Sequence, residues 1–194
     1  MITVSTSNAP ARPYHHGDLR SALVDAGMTA LESNGFADLS LRQLAREVGV
    51  SATAVYRHFP DKQALMGALA AEGIAMLGRV QQQAAESTPD SSASFAATGR
   101  AYVRFALAHP ALFRLIFSQC DAVGQTVFGD NIAARLLHDM AGQAVGGDPV
   151  ETRRLMVQAW AIVHGLAMLM LDRQLPADDD LIDRVIDPST LFAR

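Results

Sequence analysis

The stretch Ser40-Leu41-Arg42-Gln43-Leu44-Ala45-Arg46-Glu47-Val48-Gly49-Val50-Ser51-Ala52-Thr53-Ala54-Val55-Tyr56-Arg57-His58-Phe59 decides the fold. Ser40 and Gln43 are spaced as a capping box, and Leu39 stands where it can staple onto Leu44, so a helix is expected to open just after Ser40. Gly49 supplies a left-handed stop behind Val48. Ser51 can then cap a second helix, with Val50 and Val55 as its staple pair. Two short helices joined by a turn of about three residues make a helix-turn-helix. At about 100° per residue, Ala52, Thr53, Tyr56 and Arg57 share an arc of roughly 140°, while Ala54, Val55, His58 and Phe59 fill the opposite side. The expected packing hides Val55 and Phe59 and turns two small residues, a phenol and a guanidinium outward.

Upstream, Leu19, Ala22, Leu23, Ala26, Ala30 and Leu31 recur at helical spacing from Asp18 to Ser33, and Asn34-Gly35 stops that helix. Downstream, Phe59-Pro60-Asp61 ends the second of these short helices, and Asp61 can cap a long helix to about Glu86. Ser87 to Ser92, with Pro89 and Asp90, reads as a loop. Further helices are expected over 94–108, from Pro110, and over 125–144, 149–173 and 178–186, separated by His109-Pro110, Gly146-Gly147-Asp148 and Pro176. No strand alternation bounded by hairpin turns is present, and no internal repeat. The expected fold is all-α: a three-helix helix-turn-helix head over residues 14–60, followed by a helical bundle over residues 61–194.

Hydrophobic residues make up 49% of the chain and charged residues 19%, the balance of a folding chain rather than a disordered one. The net charge is −4, yet the first 66 residues hold as many basic as acidic side chains. The acidity therefore sits in the bundle, and a neutral head can approach phosphates on one face. Cys120, the single cysteine, offers neither an internal disulfide nor a paired metal ligand, which makes a reducing, cytoplasmic setting the expectation. Met1 to Pro13 lacks the apolar segment of a signal peptide and reads as a loose tail. The run Ala159 to Leu171 is interrupted by His164 and Gly165 and reads as a buried helix rather than a membrane span. A His-Glu-x-x-His helix, a cysteine ligand cluster, a glycine-rich phosphate loop and a Gly-x-Ser-x-Gly elbow are all missing, so no enzyme and no cofactor are expected.

A major groove admits a helix, small side chains allow close approach, Thr53 can hydrogen-bond a base edge, and Arg57 can pair with guanine or a phosphate. Lys62 sits in the first turn of a helix, where a cation opposes the macrodipole, and a nearby phosphate would give it a reason to be there. Arg42 repeats the pattern. The run Ser40 to Ser51, then Val55-Tyr56-Arg57-His58-Phe59, then Asp61-Lys62-Gln63-Ala64-Leu65, with the lead-in Tyr14-His15-His16-Gly17-Asp18-Leu19-Arg20, resembles the signature of the TetR family over the first third of the chain. That resemblance implies double-stranded DNA as partner. It makes Arg42, Thr53 and Arg57 candidates for base-edge contact, and Ser40, Tyr56, His58 and Lys62 candidates for phosphate contact. Ala52 stands where many members carry a polar residue, so fewer bases are expected to be read from the start of the helix. His58 lies on the inner side of the wheel, where a packed or capping role stands beside the phosphate role. His15 and His16 read as a solvated pair.

The segment from Pro149 to Arg173 is apolar in nearly every direction, so it must be covered on more than one side. One side suits the protomer's own core and another a two-fold partner, with the central helix of a monomeric bundle as the alternative and a charge at Leu166 as the test. Trp160-Ala161-Ile162-Val163-His164-Gly165, together with His109-Pro110-Ala111-Leu112-Phe113-Arg114-Leu115-Ile116-Phe117, resembles a TetR-associated C-terminal domain named for its Trp, His and Gly. The resemblance implies a ligand-binding and dimerisation unit after Pro60. A homodimeric repressor released by a small apolar or amphipathic effector is the family's usual pattern. An activator, a ligand-independent regulator, or a dimeric small-molecule-binding protein with a merely structural helix-turn-helix are the alternatives. Candidate pocket residues are Phe95, Tyr102, Phe105, Phe113, Phe117, Trp160, His164 and Met168, although aromatic and Met residues at helical spacing are more often core than ligand box.

Overall fold

The computed structural model describes residues 19–35, 38–88, 90–118 and 129–187. Among these residues the chain forms helices and no strand: α1 (Leu19–Asn34), α2 (Leu41–Val48), α3 (Ala52–His58), α4 (Lys62–Glu86), α5 (Ser91–Ala108), α6 (Pro110–Ser118), α7 (Ile132–Ala144), α8 (Pro149–Leu171) and α9 (Asp179–Val185). The lead-in Tyr14 to Asp18, the tail before it, Cys120 and Gln125 lie outside the described residues. The helix expected over 125–144 instead opens at Ile132, where the extended Asn131 accepts from the Ala134 N–H at 2.9 Å.

Local chemistry sets most boundaries. Ser51 accepts from the Ala54 N–H at 3.2 Å and Asp61 from the Ala64 N–H at 2.7 Å, so both foreseen caps are made. Each such cap is worth about 1 kcal/mol. Asp148 caps α8 through the Val150 and Glu151 N–H groups, with Pro149 in the first turn. Gly49 adopts φ 76°, and the Val50 N–H reaches back to the Ala45 carbonyl at 2.9 Å, closing α2 with the left-handed stop that only glycine takes without strain.

Three other expectations are corrected. Ser40 has the extended backbone of a cap, but its side chain makes no cap bond, and the Gln43 side chain, the other half of the box, instead reaches Glu47 one turn on, Nε2 donating to Oε1 at 3.0 Å. The capping box is not formed. Asp90 caps the fifth helix at Ser91, three residues earlier than expected, accepting from the Ala93 N–H at 2.8 Å. The eighth helix ends at Leu171 rather than Arg173, which takes a left-handed φ of 58°.

The long α4 is the spine, packed against α5, α6, α7 and α1. At Gly73 a Cβ would meet Leu112 Cδ1 at 2.7 Å, and at Gly78 one would meet Ile132 Cβ at 2.7 Å and the Ala133 backbone nitrogen at 3.0 Å. Glycine there lets α4 and α7 nearly touch. Across the other end, α1 packs on α4 and α6, and His109 Nδ1 lies 3.5 Å from Glu32 Oε1. A single buried cluster consequently runs from Leu23, Leu44, Val55 and Phe59 in the head through Leu69 and Leu112 to Val163 and Ile182.

By length and composition α8 could cross a membrane. Here it packs on α5 and α7 and buries Leu155, Met156, Ala159, Val163, Leu166, Ala167 and Met170, which share an arc of about 120°. Leu166 is only 5% exposed and belongs to the protomer's own core. The face opposite carries Val150, Val157, Ala161 and Leu169, all exposed.

Candidate nucleic-acid interface and cavity

Helix α3 is held by two side chains. Val55 (0% exposed) and Phe59 (1%) are sunk in the core, and the Arg20 guanidinium sits 5.3 Å from the centre of the Phe59 ring on its other side. With that flank fixed, Thr53, Tyr56 and Arg57 are exposed and Ala52 half-buried, as the wheel requires. His58 differs: it is exposed rather than packed, because α3 ends at it and Phe59 alone turns inward. Arg42 and Ser40 are exposed at the start of α2, with Arg46 exposed near its end, and Lys62 is half-buried in the first turn of α4. The candidate DNA contacts thus occupy α3 and the starts of α2 and α4.

Charge pairing is dense in much of the bundle and sparse on the outer face of the head. Six arginines of the bundle are committed: Arg79 to Glu72, Arg100 and Arg104 to Asp183, Arg104 also to Asp179, Arg114 to Asp172, Arg135 to Asp130 and Arg154 to Glu151. Arg42, Arg46 and Arg57 form no salt bridge among the described residues, and all three are exposed. Sequence reasoning missed this contrast, since most of the bundle's pairs join distant parts of the chain.

Within the bundle a small cavity of about 60 Å³ lies between α4, α5, α7 and α8. Of the candidate pocket residues, Phe95, Tyr102, Phe117 and Trp160 line it. The other four do not. Phe113 is wholly buried against His164 and Phe117, and Phe105 packs on His109 with ring centres 4.9 Å apart. Met168 joins the partly buried layer around the core. His164 stands behind the wall, its Nδ1 2.9 Å from the Tyr102 hydroxyl. Burial holds the His164 pKa below the usual histidine value and pushes that of Tyr102 well above the usual phenol value, so both are neutral near pH 7. Leu77, Leu137, Val163, Thr98 and Gln81 complete much of the lining and were not foreseen. The apolar members gave no sign beyond helical spacing, and Gln81 reads in the sequence as a surface residue.

A recognition helix with an outward polar face, unpaired arginines around it and a helical bundle behind it define a DNA-binding transcription regulator of the helix-turn-helix class. Residues 23–69 match the family model of bacterial regulatory proteins, tetR family, and residues 95–188 match that of the Tetracyclin repressor-like C-terminal domain. The chain belongs to the TetR family. Among solved structures, a protein of unknown function from Rhodococcus sp. RHA1 is 35% identical over 94% of this chain and 97% of its own, with a TM-score of 0.79. A TetR family transcription regulator from Marinobacter aquaeolei VT8 is 18% identical, covering 86% and 91% of the two chains at a TM-score of 0.63. RolR in complex with the ligand resorcinol is 17% identical, covering 87% and 92% at a TM-score of 0.59.

Proposed function

We propose that the protein is a ligand-responsive repressor that binds an inverted-repeat operator as a homodimer in the cytoplasm. The observation that carries this is the outward face of α3, where Thr53, Tyr56 and Arg57 stand exposed over the buried Val55 and Phe59, with Arg42 and Arg46 exposed on α2. Arg42, Thr53 and Arg57 read base edges; Ser40, Tyr56, His58 and Lys62 hold phosphates; Ala52 lets the helix approach closely. The division falls at Pro60, with residues 14–60 binding DNA and residues 61–194 binding effector and partner. The exposed side of α8, where Val150, Val157, Ala161 and Leu169 stand beside Arg154 and Gln158, supports a second copy as its cover, since a two-fold axis lays such a patch on the same patch of its copy. That dimer sets two copies of α3 in successive major grooves, roughly 34 to 36 Å apart. An effector in the cavity then favours a different separation, with a coupling of about 1 to 3 kcal/mol. The resorcinol held by RolR, which shares the fold, supports a small molecule in that role.

The test begins with duplexes selected from a random pool by the full chain; an inverted repeat is expected, and an unenriched pool rejects the reading. Against the selected sequence, Arg57→Ala should lose roughly 1 to 3 kcal/mol relative to random DNA. An equal loss on both would move Arg57 from base to phosphate. Lys62→Ala should weaken all sequences alike and reduce the salt slope by about one unit, and an unaltered slope removes it from the backbone contacts.

A further inference from the structure

Gln81 is the polar residue of the cavity whose bonding is incomplete. Its Nε2 donates to the Thr98 carbonyl at 3.3 Å. Only the amino end of an amide can face a carbonyl, so the orientation of the side chain is fixed. The Oε1 at the other end is buried and has no hydrogen-bond partner among the described residues. A buried acceptor left unpaired is costly, and such a group calls for a specific explanation.

The other polar groups of the lining leave little ambiguity about what suits that oxygen. The Thr98 hydroxyl donates to the Phe95 carbonyl at 2.7 Å, which leaves it only acceptor capacity. The Tyr102 hydroxyl is engaged with His164 Nδ1 at 2.9 Å. Among the described residues no Asp, Glu, Lys, Arg or His lines the cavity. The wall they form is therefore apolar, with hydrogen-bond acceptors to spare and no fixed charge.

We propose that the cavity takes a neutral, largely apolar ligand carrying a hydroxyl or N–H donor, and that Gln81 Oε1 is the acceptor that selects it. This rests on the ligand-responsive reading above and deepens it. A carboxylate brings acceptors alone and finds no cation, so anionic ligands are selected against. An apolar ligand without a donor fills the space but leaves the amide oxygen unpaired. The cavity, about 60 Å³, is smaller than the roughly 150 Å³ that holds benzene, so an aromatic ring enters only as the walls part. That cost is common to ligands of one shape and cancels when they are compared.

Phenol and toluene are such a pair. Dissociation constants for phenol, toluene and benzoate, measured by NMR titration on the full-length protein, test the assignment in wild type and in Gln81→Met, a change of similar size that removes the acceptor. The toluene-to-phenol ratio of dissociation constants is expected to fall about tenfold in Gln81→Met. In wild type alone, benzoate is expected to bind at least about tenfold more weakly than phenol. A ratio unchanged by Gln81→Met, or benzoate binding as tightly as phenol, overturns the role of Gln81 while toluene binding still upholds the effector cavity. Binding of none of the three removes the cavity as an effector site and the ligand-responsive reading with it.

Discussion

Val157→Asp is expected to convert the proposed dimer to monomers in sedimentation and to lower affinity for a two-half-site duplex by about 10²- to 10⁴-fold, the range that linking two binding modules supplies. Val157 is 45% exposed on α8, opposite the buried arc, so the protomer itself tolerates the charge. Only a surface that must lose water against a partner suffers from it. Leu169→Asp, on the same face at 45% exposure, should behave alike. Leu166→Asp is the contrasting control, since it places a charge in the protomer core and should cost folding itself. Sedimentation of Val157→Asp indistinguishable from wild type would take α8 out of the interface and leave the two-fold model without its contact surface.

Phe59→Ala is the second large expectation. At 1% exposure its ring fills the space between α3 and the rest of the head, and truncating a buried phenylalanine costs about 3 to 5 kcal/mol. A share that large of a domain's typical stability of about 5 to 15 kcal/mol should appear as a lower urea midpoint in equilibrium unfolding. DNA binding should fail before the bundle melts, because Phe59 and Val55 are the two anchors that aim Arg57 outward. The Arg20 guanidinium loses its ring as well. A variant that unfolds at the wild-type midpoint would show that α3 is held by something other than this flank.

Much of the head was legible because its signals are local. Ser51, Asp61 and Gly49 act within four residues of themselves, and the alternation of Val55 and Phe59 against Thr53, Tyr56 and Arg57 needs only the helical repeat. The failures have the same logic in reverse. Gln43 satisfied the spacing of a capping box, but Glu47 offered its amide a nearer use. His58 fell on the inner side of an ideal wheel, yet the helix stops there and the chain turns away. In α8, where almost every position is apolar, no wheel can say that Leu166 faces inward and Leu169 outward. That distinction belongs to α5 and α7, which lie far away in the chain. Four of the pocket candidates stand off the cavity for the same reason, and Gln81 was passed over because its partner, the Thr98 carbonyl, is on another helix.

The close approach of α4 to α7 at Gly78 bears on how a message could cross the molecule. Side chains elsewhere along α4 can yield by changing rotamer, but at Gly78 the neighbour is partly backbone, which gives far less. That makes the point a fulcrum. It lies one turn from Gln81, and from Gly78 to Lys62 the helix extends about 24 Å at 1.5 Å per residue. A tilt of about 5° about that point therefore sweeps the far end by roughly 2 Å, more than a hydrogen bond tolerates. On the ligand-responsive reading proposed above, leverage of that kind is how an event the size of one small molecule would dislodge a grip on a duplex without unfolding anything between them.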